Sequence, residues 1–322
     1  MDYSFSGLSE RVATSTKLPR VSITLPRPLD SEGELALGHL GRVRKWCGVA
    51  GSLAQTTIVV QRIVSERLGA AVSWPSAIAH GCGIDAQDYF AKHSMLPFDE
   101  CVDSVNQPER VHVYGWPESF DRKLLAAPMK QAVFCRRCVK EQLDQRPFAV
   151  WRRLDHLPYR FRCAVHDIPL LRAHASAAHR EDPATILESG DWEPVPAQVA
   201  WLESEAVQRL DSISEALLRT GVRWPRHRVW ARLRQRASRC SIRVLEHSGG
   251  ELLSDEICKA FPSGFLTDRF PSFRMKVRGR RIATVDGVLF HKYQPLSPYL
   301  SLVLAVLYPS AWSALRDLST PV

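Results

Sequence analysis

Two short spacings carry the chemistry of this chain: Cys135-Arg-Arg-Cys138 and Cys163-Ala-Val-His166, with 24 residues between them. Each is a knuckle whose two ligand side chains point the same way, and the intervening segment can fold back to bring one pair to the other. Three thiolates and an imidazole suit a borderline-soft cation with no geometric demand of its own, so Zn2+ is the expected ion. Four protein ligands leave no open position for water, which makes the site structural and not hydrolytic. The competing reading is ordinary buried cysteines, because free Cys is among the most buried residue types and Cys47 and Cys240 also sit in helical-looking stretches. Paired ligands at knuckle spacing are the stronger signal. A disulfide framework is disfavoured, since the opening Met-Asp-Tyr-Ser-Phe-Ser is no basic-then-apolar leader and nothing marks the chain for an oxidising compartment. Three thiolates on one divalent ion leave a net charge of about −1, which Arg136 and Arg137 inside the first knuckle could offset.

The rest of the chain must supply a scaffold for that centre. Its 322 residues, 45% hydrophobic and 24% charged, describe a globular protein of two or three domains and exclude a disordered tail. Lys and Arg number 43 against 34 Asp and Glu, a net charge of +9 and a pI near 9.3, which favours a polyanionic partner. The apolar run 299–307 is too short to span a bilayer and Pro309 follows it, so a buried core helix and a soluble cytoplasmic protein with no membrane partner are expected. The expected fold is mainly α. Residues 1–30 form an extended lead-in, 31–131 a helical domain with a helix-turn-helix, 132–172 a small zinc-binding lobe, 173–198 a linker and 199–322 a helical basic domain.

Helical pattern begins where Ser31 and Glu34 resemble a capping box, with Leu37, Leu40, Val43 and Cys47 recurring on one face and Arg42, Arg44 and Lys45 on others. A second helix is expected over 55–68. Residues 73–80, 81–83 and 84–93 read as helix, Gly-containing turn, helix. If that unit entered a major groove, Asp85, Gln87 and Asp88 would lead, but two of them are acids that repel phosphate, so packing or protein contact remains open. Residues 99–129 are mixed and broken by Pro108, Pro117 and Pro128. The stretch 173–198 is rich in acids and prolines with little to bury, and its His174 and His179 read as solvated rather than as ligands. Helical periodicity resumes over 199–218. Between 219 and 243 there are nine arginines and no acid, and Arg226, Arg228, Arg232, Arg234, Arg236 and Arg239 fall on one amphipathic helix with Trp230 and Leu233 on its apolar edge. A second cluster, Arg274, Lys276, Arg278, Arg280 and Arg281, lies near Phe270 and Phe273. Such runs are commonly solvated faces, yet the missing acid favours phosphate contact, which supplies affinity and orientation but little sequence reading.

Longer stretches resemble the TniQ (TnsD-like) family of transposition target-selection proteins. The family's first knuckle is similar to Phe134-Cys135-Arg-Arg-Cys138, its Trp-Arg-Arg-x-His-x-Leu-Pro stretch to Trp151-Arg152-Arg153-Leu-Asp-His156-Leu157-Pro158, and its second knuckle to Cys163-Ala-Val-His166 with Pro169, Leu170 and Leu171. His93-Ser-Met-Leu-Pro97 resembles a box that follows the family's helix-turn-helix. The Pro26, Pro28 and Glu34 to Leu40 opening fits its amino-terminal end, and Gln294-Pro295-Leu296 resembles a late helix start. The likeness covers most of residues 20–172 and the remainder loosely. Arg136 stands where the family has proline, which could loosen the knuckle, and Cys240, His247 and Cys258 lack the paired spacing of the second zinc site found in some relatives. The resemblance implies a non-enzymatic adaptor that binds DNA or a DNA-bound complex, in some members an RNA-guided CRISPR complex and in some a homodimer, and recruits an AAA+ ATPase and a transposase. Trp151 and His156 are expected to pack the lobe, and Arg152 and Arg153, which could face phosphate, to pair instead with acids beside the zinc. No Gly-x-x-x-x-Gly-Lys loop and no His-Glu-x-x-His helix occurs. A stand-alone transcription regulator and a metal-dependent nuclease are the other readings.

Overall fold

The computed structural model describes residues 24–31, 33–103, 112–113, 132–174, 179–244, 250–290 and 297–320. It is mainly helical, with fifteen α-helices among the described residues and only short strands. Local capping sets where several helices begin, and α1 (Ala36–Trp46) is an exception. Its N-cap is Leu35 with no side-chain bond, and the expected Ser31–Glu34 box does not form. Glu34 is instead buried, accepting from the Leu29 N–H at 2.9 Å and from Arg42 Nε at 3.0 Å. The reciprocal box belongs to α2 (Leu53–Leu68), where Ser52 accepts from the Gln55 N–H at 3.3 Å and Gln55 from the Ser52 N–H at 2.7 Å. Ser73 caps α3 (Trp74–Gly81) and Asp85 caps α4 (Ala86–His93), the two helices of the expected hairpin, with Gly83 at φ +67° in the turn between them.

After α5 (Leu96–Asp99) come β1 (Val102–Asp103) and β2 (His112–Val113). Most of the Pro-broken stretch 99–129 lies outside the described residues, as do Gln294, Pro295, Leu296 and residues 1–23 of the lead-in. The cysteine lobe follows with β3 (Val133–Phe134), α6 (Arg136–Gln145) and β4 (Leu171–Ala173). Residues 173–198 are not a bare linker. They contain α7 (Pro183–Ser189), capped by Asp182 with Pro183 at its first position, and β5 (Trp192–Pro194), and they bury Ala184, Ile186 and Val195. β4 pairs antiparallel with both β3 and β5, aligning Phe134 with Leu171 and Leu171 with Pro194.

The periodicity expected over 199–218 divides into α8 (Val199–Leu202) and α9 (Glu205–Thr220), which ends at Gly221 in the left-handed region. β6 (Val222–Pro225) lies between β1, parallel, and β2, antiparallel. It leads into the arginine helix α10 (Arg226–Arg239). Then come α11 (Leu253–Ala260), α12 (Ser263–Arg269), α13 (Ala283–Asp286), α14 (Ser297–Leu307) and α15 (Ala311–Ser319). The apolar run is the buried core helix α14, bent by 107° from α15, and no single helix among the described residues is long and apolar enough to cross a membrane.

Two apolar cores meet at α1. Leu40 and Val43 join Val60, Ile78, Tyr89 and Phe90, whereas Leu37 faces Phe134, Trp151 and the lobe. The backbone stitches the joint: the Leu35 N–H donates to the Trp151 carbonyl at 2.7 Å and the Arg153 N–H to the Gly33 carbonyl at 2.8 Å. Arg153 reaches on to the Ala91 and Ser94 carbonyls at the end of α4, and His93 donates from Nδ1 to the Glu34 carbonyl at 2.8 Å. On the lobe's far side Arg160 is clamped by Asp211 and Glu215 of α9, and Tyr159 stacks on Phe270 with ring centres 5.1 Å apart.

The joint depends on close approach at α1. A Cβ at Gly38 would lie 2.6 Å from Trp151 Cδ1, and one at Gly41 would overlap the His179 carbonyl oxygen, which is backbone and cannot rotate away. Gly41→Ala is therefore expected to lower unfolding stability by about 1–3 kcal/mol despite its better helix propensity. Urea unfolding with an unchanged midpoint would refute this packing.

Candidate metal centre

Strand β3 delivers Cys135 to the N-cap of α6, so Cys138 lies in that helix's first turn, where the dipole favours a thiolate. The second knuckle is a tight turn: the Asp167 N–H donates to the Cys163 carbonyl and the Cys163 N–H to the Ile168 carbonyl, both at 2.9 Å. Closing it puts Asp167 at φ +49°, with its carboxylate held by Arg162 at 2.6 Å.

Cys135, Cys138, Cys163 and His166 come together, their ligand atoms all within 4.8 Å of one another. Cys138 Sγ is 3.6 Å from Cys163 Sγ, and His166 Nδ1 is 3.5, 3.3 and 3.7 Å from the sulfurs of Cys135, Cys138 and Cys163. Tetrahedral zinc with its usual bond lengths requires about 3.8 Å between sulfurs and about 3.6 Å between sulfur and nitrogen. The donor set and its spacing therefore fit such an ion, and the cluster could hold one. With Nδ1 turned to the sulfurs, Nε2–H of His166 donates to Glu141 Oε1 at 2.8 Å, the outer carboxylate that orients a ligating imidazole.

Charge balance comes from an arginine other than those expected. Arg136 and Arg137 are exposed, whereas Arg152 Nη1 lies 2.7 Å from Cys138 Sγ and 3.8 Å from Cys163 Sγ. Burial pushes the neighbouring Asp155 carboxyl up to about 7, against the pull of Arg152. The three thiols titrate together. Hydrogen bonds from Cys135 and Cys138 push the Cys163 thiol down, and its neighbours Cys135 and Cys163 push Cys138 far up. A cation resolves that conflict by displacing the remaining protons.

Sequence reading missed Arg152 and Glu141 as partners of the centre. Glu141 stands three residues after Cys138 on α6, the helical spacing that could have nominated it. Trp151 and His156 pack the lobe as expected, Trp151 only 1% exposed and edge-on to Phe134 at 5.7 Å. His174 is exposed, but His179 is buried, with Nε2 3.2 Å from His156 Nε2, and burial holds both rings below the usual histidine range. In the hairpin, Asp85 turns its carboxylate back onto the Gln87 and Asp88 N–H groups at 2.8 and 3.1 Å.

The arginines of α10 divide. Arg226 lies over the Trp230 ring at 4.0 Å, Arg232 Nη2 donates to the Thr320 carbonyl at 3.1 Å and Arg236 Nε to the Leu307 carbonyl at 2.7 Å, so two of them close the C-terminal ends of α15 and α14. Arg228 and Arg234 are half-buried, and Arg239 is exposed. Upstream, Arg219 pairs with Glu215 at 2.7 Å and Arg223 with Asp103 at 3.3 Å. Arg219 is thus served by an acid one turn back on α9, and Arg223 by one from β1. In comparisons with known proteins, no family model and no curated protein matches this chain.

Two measurements test the centre. The purified chain is expected to carry about one zinc per protomer, with an affinity that rises with pH. Cys138 and Cys135 both have raised thiol pKa values, and each proton they release on metal binding makes the affinity climb about tenfold per pH unit below those values. Chelator competition at pH 6 and pH 8 giving the same constant would contradict this. Arg152→Gln is expected to keep the stoichiometry but weaken zinc about 10–100-fold, and wild-type affinity in that variant would remove Arg152 from the charge balance.

Proposed function

We propose that this chain is a TniQ-like protein: a structural zinc centre fastened to a helical scaffold, acting without catalysis as a DNA-associated adaptor that selects a transposition target and recruits an AAA+ ATPase and a transposase. One observation carries the reading. The separate stretches that resemble the family meet at one joint: the Glu34 segment bridges to Arg152, His93 binds the Glu34 carbonyl, Trp151 packs on Gly38 of α1, and Arg152 touches the cysteine sulfurs. Residues far apart in sequence thus share one structural task, which supports reading them as a single inherited pattern rather than as chance matches.

The donor set favours zinc, and four protein ligands leave its role structural. DNA association rests on the +9 net charge and on the exposed Arg239 and half-buried Arg228 of α10, because Arg232 and Arg236 are engaged in helix ends. The α3–α4 hairpin favours an adaptor over a self-sufficient operator reader. Its second helix opens with an acid spent on capping and a second acid, Asp88, exposed beside it, while Tyr89, Phe90 and His93 are buried. Phosphates are repelled there.

Affinity isolation of the tagged chain from its native cells tests the reading. An AAA+ ATPase together with a transposase, with or without an RNA-guided complex, is the expected company, and recovery of neither after cross-linking sinks the adaptor. Tight binding of one operator sequence by the purified chain alone would replace it with a transcription regulator, and divalent-ion-dependent cleavage with a nuclease.

A further inference from the structure

The loop 274–281 is not used by the metal centre or the joint, and it has an unusual build. Met275 is 79% exposed, more than any other large apolar side chain among the described residues, and Val277 is 62% exposed. Lys276 between them points inward: its side chain is 4% exposed and its ammonium donates to Asp255 Oδ1 at 2.6 Å and to the Arg280 and Val277 carbonyls at 2.6 and 3.1 Å. Asp255 also accepts from the Gly279 N–H at 3.2 and 3.0 Å, and Gly279 makes the reversal at φ +79°. Buried Phe273 and Ile282 anchor the two ends. The apolar pair is therefore held out in water by a buried ion pair, which is costly to bury and fixes the loop's shape.

The surroundings of the tip name its partner. Arg274, Arg278, Arg280 and Arg281 are all exposed, and residues 269–285 contain no acid. Arg278 reaches a distant carboxylate, Glu251 at 3.0 Å, and Arg274 Nε donates to the Thr267 carbonyl at 3.2 Å. Two small apolar side chains are far less than the ~800 Å² per partner of a stable protein interface. They match the wedges, Met among them, that enter a base step from the minor groove while arginines hold the groove and the flanking phosphates. We infer that loop 274–281 is a minor-groove wedge for duplex DNA, Met275 and Val277 entering a base step between arginine-held phosphates. This rests on the reading of the protein as DNA-associated.

The test uses the full zinc-loaded chain, a labelled 30-base-pair duplex and the same duplex carrying 2-aminopurine, with anisotropy followed across salt concentrations. Met275→Ser with Val277→Ser is expected to weaken binding at least tenfold, leave the salt slope unchanged and abolish the rise in 2-aminopurine fluorescence that reports unstacking. Arg274→Gln with Arg280→Gln is expected to reduce the slope of log K against log salt by about 1.8, two phosphates at about 0.9 each. If the wild-type chain binds no duplex, the DNA-associated reading itself fails. If it binds and the Met275/Val277 variant matches it in affinity and fluorescence, the wedge alone is overturned. Binding to phosphatidylserine vesicles but not to duplex, lost in the same variant, would make the loop a membrane contact and overturn the proposal.

Discussion

The arrangement centres on three sulfurs and one ring nitrogen brought within 4.8 Å of one another, close enough to serve a single cation as ligands. Sulfurs 3.6 Å apart cannot all ionise unaided, and Arg152 supplies just one compensating charge. A structural zinc site of this kind is worth on the order of 10–16 kcal/mol in small peptides, comparable to the ~5–15 kcal/mol net stability of a whole domain. A bound ion would add such a term to a lobe whose strands β3, β4 and β5 are two or three residues long, too short to stand alone.

Arg152 also explains why the centre matters beyond its lobe. Its neighbours in sequence face elsewhere: Trp151 packs on α1 and donates from Nε1 to the Glu181 carbonyl at 2.9 Å, and Arg153 closes the end of α4. Three consecutive side chains therefore answer to three bodies, the cysteines, the first helix and the hairpin. The backbone on either side of Arg152 is tied to the entry of the first helix, Trp151 to Leu35 and Arg153 to Gly33, so all three residues are held in one strand of contacts. Arg160, buried between Asp211 and Glu215, fastens the opposite side of the lobe to α9, so the lobe is gripped from both ends.

What could be read in the sequence was local. Each metal knuckle, the hairpin around Gly83, the helix 55–68 and the burial of 299–307 follow from patterns shorter than about twenty residues, and the pairing of the two knuckles across 24 residues follows from their matched ligands. Long-range pairing is what escaped. Arg152 reaches Cys138, Glu34 serves Arg42 and not the start of α1, and His179 is buried against His156 in a stretch whose composition reads as a linker. That stretch did carry a local signal in Asp182-Pro183, an N-cap followed by a proline at the first helical position, outweighed by its acids and prolines.

The same limit governs the basic character of the chain. A run of nine arginines without an acid reads as a polyanion surface only if no acid reaches it in three dimensions, and here Glu215, Asp103 and the ends of α14 and α15 do. Charge that satisfies helix carbonyls and buried carboxylates has already been desolvated and contributes little to a phosphate. Among the described residues the loop 274–281 is the densest surface group of guanidiniums, four exposed arginines within eight residues. Lys276 is the one cation of that cluster turned inward, and its pairing with Asp255 shapes the loop while the four arginines around it stay at the surface. The division of labour, a buried cation for form beside exposed arginines of which Arg278 already reaches Glu251, is set by which acid the chain folds toward each residue and not by the spacing of the basic residues themselves.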